Sequence, residues 1–213
     1  MPNPPARGRR FFSASDEEIM AGRTTDVYFA RTMDILRSKG KMKETALAEF
    51  TVGALPRGWP WAVMCGVEEV LRLFEGKDVS IHGLPEGTVF RPRSFSGIRI
   101  PVMTIEGPYS EYCVYETPAL GFLCHSTGVA TMSAHTRIAA KGKVLLSFGV
   151  RRMHPAISGA RWERIETSLS AISSSATFTR CWAFLRLPFS MRRLDPPISR
   201  HGRASRGNWR LRT

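Results

Sequence analysis

Between Ser15 and Leu84 the apolar positions change period several times, and each change marks an element. Ser15 and Glu18 have the spacing of a capping box, and Gly22 supplies a stop, which predicts a short first helix. Thr25 or Asp26 caps a second helix, whose apolar stripe is Phe29, Ala30, Met33 and Leu36 and which Gly40 ends. Over Glu44–Gly53 the period falls to two. Ala46, Ala48, Phe50 and Val52 alternate with Thr45, Glu49 and Thr51, as in a strand with one buried face. Trp61–Met64 predicts another short strand, and Gly66–Phe74 a helix with Val67, Val70, Leu71 and Phe74 at helical spacing, stopped by Gly76. Val79–Leu84 and Pro101–Glu106 complete the strands, separated by the turn-rich LPEGTVF and the loop RPRSFSG. Glu86, within that first turn, could contact a ligand but reads first as a solvated turn carboxylate.

From Glu111 to Ala140 the chain is apolar and almost free of turn signals. Pro118 and Gly128 predict two helical pieces rather than one. His125 and His135 lie here, ten residues and so about 1000° of helical rotation apart, which argues against a shared metal. Val144–Val150 (VLLSFGV) then reads as a strand buried on both faces. Arg151, Arg152 and His154 follow it directly. Two guanidiniums and an imidazole at the carboxyl end of a buried strand suit an anionic ligand. Tyr28, in the first turn of the second helix beside its apolar stripe, reads on its own as a core tyrosine.

Charge divides the chain in two. Through Ala156 there are 20 Lys+Arg against 15 Asp+Glu; from Ile157 onward 11 basic residues, all Arg, face 3 acidic ones. After Ser158 periodicity is lost, and Trp162, Trp182 and Trp209 sit in polar or arginine-rich company. Cys65, Cys113, Cys124 and Cys181 have no CxxC spacing, so neither a zinc site nor a disulfide framework is predicted; buried thiols are. No apolar run reaches the ~18 residues of a membrane span. The basic start MPNPPARGRRFF lacks an apolar signal core, and a cytoplasmic location is expected.

Three blocks together carry a resemblance: SASDEEIMAGRTTDVYFARTMDIL (Ser13–Leu36), LPEGTVF (Leu84–Phe90), and Tyr109–Glu116 through FGVRRMHPAIS (Phe148–Ser158). Over Phe12–Ser158 the chain resembles the amino-terminal part of nicotinate phosphoribosyltransferase, especially its compact archaeal-type members. The resemblance implies an α+β fold: the amino-terminal domain of a type II phosphoribosyltransferase, followed by the first strand of an incomplete α/β barrel. It divides the chain into a disordered basic tail (1–12), the α+β domain (13–112), a helical segment with the first barrel strand (113–158) and a non-family Arg/Ser-rich tail (159–213).

The resemblance implies a reaction of nicotinate with 5-phosphoribosyl 1-pyrophosphate, giving nicotinate mononucleotide and pyrophosphate with ATP hydrolysis. ATP and magnesium are the family's cofactors, with none expected on this chain, and a homodimer sharing its active sites is implied. By the same resemblance, Tyr28 stacks on the nicotinate ring, Arg151 and Arg152 face carboxylate and phosphates, and His154 supports them. The family's GT-x-x-H-A segment and later phosphate-binding glycines are not found after HPAIS, where the sequence has the look of a coding sequence read in the wrong frame. Truncation and loss of catalysis are therefore expected. The alternatives are a non-catalytic dimerisation module and a basic-tailed nucleic-acid-binding protein, the latter disfavoured because the tail has no repeat.

Overall fold

The computed structural model describes residues 13–141, 143–146, 153–158 and 189–193. The capping box forms as the spacing predicts. Glu18 N–H donates to Ser15 Oγ at 3.3 Å and Ser15 N–H to Glu18 Oε2 at 3.0 Å, opening α1 (Asp16–Met20). Helix α2 (Val27–Ser38) turns Phe29 into the core and packs Met33 and Leu36 against it, whereas Ala30 is exposed and not part of the stripe.

Four antiparallel strands make the main sheet, in the order β3 (Ser80–Gly83), β5 (Pro101–Pro108), β1 (Thr45–Thr51), β6 (Phe189–Arg193). Register follows the alternation of β1. Ala48 pairs with Ile105 and Phe50 with Met103, and all four are buried on one face. The opposite face carries the exposed Glu106, Ser80 and His82, so the sheet is open on that side. Strand β6 lies within the Arg/Ser-rich stretch. It pairs along β1 from Phe50↔Phe189 to Ala46↔Arg193 and occupies the edge of β1 that β5 leaves free.

Helix α4 (Tyr109–Tyr112) and a 3-10 turn (Cys113–Tyr115) lead into α5 (Glu116–Ala140). This is one helix of 25 residues, not two pieces. Pro118 is its third residue, where the N–H it lacks has no intrahelical acceptor to lose. Gly128 is buried mid-helix without interrupting it. The core under the sheet gathers Phe29, Phe50, Val70, Met103, Ile105, Tyr112 and Leu123.

A second, two-stranded sheet joins β2 (Ala62–Val63) to β4 (Val89–Phe90), so part of the predicted turn LPEGTVF is a strand. Hydroxyls of α5 complete the hydrogen bonding around β2. Val63 N–H donates to Thr131 Oγ1 at 2.9 Å, while Thr127 Oγ1 accepts from Cys65 N–H at 3.1 Å and donates to Cys65 O at 3.0 Å. Helix α3 (Val67–Leu73) starts on Gly66, at φ 95°. A Cβ there would lie 2.5 Å from Phe122 O, so only glycine lets α3 and α5 approach this closely.

Glu86 is not a solvated carboxylate. Its two oxygens accept the N–H groups of Gly66 and Val67, each at 2.8 Å, and cap α3 from twenty residues away. Val144–Leu146, read as the start of a doubly buried strand, lie in no strand, and Val144 and Leu146 are exposed. Among the described residues no strand pairs with them. The remainder of that predicted strand, with Arg151 and Arg152, lies outside the described residues, as do residues 1–12 and Cys181.

Candidate functional site

The start of α2 is built against the start of α5. Asp26 precedes α2 as its cap residue, but its carboxylate does not bond to its own helix. It clasps Thr117 instead. Asp26 N–H donates to Thr117 Oγ1 at 3.2 Å, and that hydroxyl donates to Asp26 Oδ2 at 3.1 Å. The next residues of α2 separate by face: Phe29 is 3% exposed and anchors the helix, while Tyr28 is 54% exposed. Their ring centroids are 4.0 Å apart at a tilt of 45°. Tyr28 is therefore not the core tyrosine that its neighbours in sequence suggest. Val27 and Ile35 are exposed on the same helix.

Beside the clasp stands a residue that sequence reasoning missed. Glu116 opens α5, is 5% exposed, and its Oε2 has no hydrogen-bond partner among the described residues. Burial, and then the nearby Asp26 carboxylate, push its carboxyl up to about 8. The side-chain hydroxyls of Thr24 and Thr25 are likewise buried without partners. Burial, followed by the Glu116 and Asp26 charges, also raises the Tyr28 hydroxyl. Tyr109 and Tyr112 are raised chiefly by burial, and Cys113 to about 11 for the same reason. Nothing local in the sequence marks Glu116, because an acidic residue at a helix start is ordinarily a solvated one.

His154 is exposed, and its Nδ1 accepts the Ala156 N–H at 3.2 Å at the start of α6 (Pro155–Ser158). Among the described residues no hydrogen bond or ring contact joins it to Tyr28. His135 lies between Trp59 and Trp61, stacked on each at 3.9 Å, and burial holds it below the usual imidazole range. Among the described residues, no three His, Cys, Asp or Glu side chains gather as a metal site. Cys65 and Cys113 are buried free thiols and Cys124 is half-buried; burial pushes Cys65 up to about 12. No helix of the described residues is long and apolar enough to cross a membrane. The arrangement offers an aromatic face on a rigid helix, backed by a buried acid.

The described residues make a mixed fold of helices and open antiparallel sheets. Residues 26–127 match the family model described as "Quinolinate phosphoribosyl transferase, N-terminal domain". The crystal structure of nicotinate-nucleotide pyrophosphorylase from Pyrococcus furiosus is similar at 47% identity and a TM-score of 0.64, over 70% of this chain and 36% of that one. Human nicotinic acid phosphoribosyltransferase shares the fold, at 21% identity and a TM-score of 0.53, over 62% of this chain and 32% of that one. Nicotinate phosphoribosyltransferase 2 of Arabidopsis thaliana is 38% identical over 85 residues, 39% of this chain and 14% of its own length. A nicotinate phosphoribosyltransferase of Mycobacterium tuberculosis is 25% identical over 190 residues, 74% of this chain and 40% of its own. The amino-terminal part of this chain is thus similar to the amino-terminal domain of quinolinate-type phosphoribosyltransferases and to nicotinate phosphoribosyltransferases. The chain spans from 14% to 40% of the length of these two curated relatives.

Proposed function

We propose that this chain carries the ring-stacking side of a nicotinate site, with Tyr28 as its face, in the manner of a nicotinate phosphoribosyltransferase of the NAD salvage route. The observation that carries the reading is the exposure of Tyr28 directly beside the buried Phe29. A flat pyridine gains from an aromatic face held at low entropic cost. Arg151 and Arg152 would hold the nicotinate carboxylate and the donor's phosphates, where guanidiniums suit both anions. His154 has Nδ1 engaged with Ala156, which leaves Nε2 for a supporting contact.

The complete reaction joins nicotinate to 5-phosphoribosyl 1-pyrophosphate with ATP and magnesium. ATP and magnesium would serve the complete enzyme, and neither is expected to be held by this chain alone. Catalysis requires the barrel that the Arg/Ser-rich sequence replaces, and a homodimer would bring Tyr28 to a neighbour's barrel. The setting is cytoplasmic, and this reaction calls for no membrane or nucleic-acid partner. The test is a nicotinate titration of the 213-residue chain, together with turnover in the presence of ATP, magnesium and donor. The expected result is weak binding, about fivefold weaker in Tyr28→Ala as befits one lost ring contact, and no product. Binding indifferent to Tyr28→Ala, or turnover that Arg151→Ala abolishes, would overturn the reading.

A further inference from the structure

Between Glu86 and Glu106 the chain has no acidic residue, yet it carries Arg91, Arg93 and Arg99. This stretch folds as a hairpin. Arg93 and Arg99 form an antiparallel bridge, Ser94 N–H donates to Ile98 O at 2.8 Å, and Ile100 N–H donates to Pro92 O at 3.1 Å. Gly97, at φ 80°, closes the turn by donating its N–H to Ser94 O at 3.0 Å. Phe95 stands at the tip, 101% exposed, and Val89, Ile98 and Ile100 are exposed beside it. Side chains alternate along such a ribbon, so Arg93 and Arg99 take one face and Ile98 and Ile100 the other. Single exposed apolar side chains are ordinary, but several on one basic hairpin mark an interaction surface.

The charges say what kind of surface is met. Arg93 and Arg99 are directly opposed, which costs stability, and no carboxylate pairs with either among the described residues. An anionic partner relieves that repulsion. We propose that the 91–100 hairpin docks on an anionic phospholipid surface, with Phe95 and the isoleucines in the apolar boundary and the arginines on headgroup phosphates. The tip is suited to leaving water because its polar groups already have partners. Ser94 and Ser96 hydroxyls are bonded at 2.8 Å, Ile98 N–H donates to Ser94 Oγ at 3.2 Å, and Gly97 O accepts from Arg93 Nη1 at 2.8 Å. The Arg91 guanidinium lies 5.6 Å from the centre of the Phe95 ring, close behind the tip. Arg93 is two residues of extended chain from Phe95, roughly 7 Å. Apolar faces at a membrane surface sink by ~5–10 Å, so the arginines fall at headgroup level. A single-stranded nucleic acid would instead reward rings for its bases, and of the four exposed apolar side chains only Phe95 has one. Docking of this kind is shallow and spans nothing. It is independent of the nicotinate reading, which concerns the start of α2.

The experiment sediments the 213-residue chain with vesicles of phosphatidylcholine alone and of phosphatidylcholine with phosphatidylserine. The native chain should bind the mixed vesicles, lose binding in high salt, and bind the neutral vesicles far less. The 11 arginines from Ile157 onward also attract anionic lipid, so hairpin variants decide. Phe95→Ser should weaken binding about tenfold, as burial of one ring implies, and Arg99→Gln about fivefold on the mixed vesicles only. Both side chains are exposed, so urea midpoints should stay native; if that of Phe95→Ser falls, Ile98→Ser replaces it with the same expectation. A native chain that leaves the mixed vesicles unbound, or hairpin variants that bind them as the native chain does, overturns the proposal. A single-stranded oligonucleotide is titrated in parallel. Oligonucleotide binding that Phe95→Ser weakens, with no vesicle binding, overturns the lipid surface in favour of a nucleic acid.

Discussion

Replacing Glu86 with alanine removes both acceptors from the start of α3. The carboxylate takes the Gly66 and Val67 N–H groups at 2.8 Å each, and both residues are buried, so water is poorly placed to substitute. Gly66 has no side chain with which to cap the helix, and no other cap bond is present there. A hydrogen bond to a charged group contributes about 1.5–3 kcal/mol, and a carboxylate at a helix start adds ~0.3–1 kcal/mol. Because one carboxylate serves both donors, the total is about 3 kcal/mol, equivalent to a fall of roughly 10 °C in Tm. Glu86→Gln keeps one acceptor oxygen and should lose about half as much. Urea unfolding of the three proteins gives the ordering, and amide exchange at Gly66 and Val67 locates the effect. An alanine variant within about 0.5 kcal/mol of the native chain, the scatter of an ordinary surface substitution, would refute the capping argument.

Gly66→Ala should cost more than ~2 kcal/mol, since it strains a positive φ and drives a Cβ toward Phe122 O; a native-like unfolding midpoint would count against the close approach of α3 and α5. Glu116 ionises less readily folded than unfolded, so its stabilising contribution is full below about pH 4.5 and lost as pH rises through about 8. Glu116→Gln should flatten the stability profile across that window, and parallel profiles for the two proteins would contradict the burial of the acid. His135 is shifted in the opposite sense: its contribution is present above about pH 6.5 and lost as the solution is acidified through its lower folded value. Tryptophan fluorescence should therefore change below pH 6.5 as protonation disturbs the stack on Trp59 and Trp61, and His135→Asn should remove that change.

Local signals in the sequence carried as far as local physics reaches. The Ser15–Glu18 box, the inward Phe29, Met33 and Leu36 of α2 and the alternation of β1 each depend on residues a few positions apart and formed as read, whereas Ala30 faces away from the core. Pro118 was misread because its effect depends on position within the helix, and the helix start was displaced by the 3-10 turn before Glu116. The Glu86 cap, the pairing of β2 with β4 and the Thr127 and Thr131 hydroxyls on β2 all join segments distant in sequence, and no period reports them. Of the candidate site, Tyr28 was legible as a residue, but its exposure was not. The start of α2 is tied to Thr117, 91 positions away, a contact that no local pattern reports. Arg151 and Arg152 were legible only as charges after an apolar run.

The pairing of β1 with β6 also has a timetable. A ribosome adds about 5–20 residues per second, and about 140 residues separate the two strands, so the free edge of β1 waits roughly 7–30 s for its partner. During that interval β1 can already be paired with β5 while its other edge offers bare N–H and C=O groups to any extended segment nearby, including the same strand on a neighbouring nascent chain. Slow synthesis or crowded polysomes thus favour the intermolecular pairing over the one that closes the sheet. The last strand to arrive determines whether the first one remains available for aggregation.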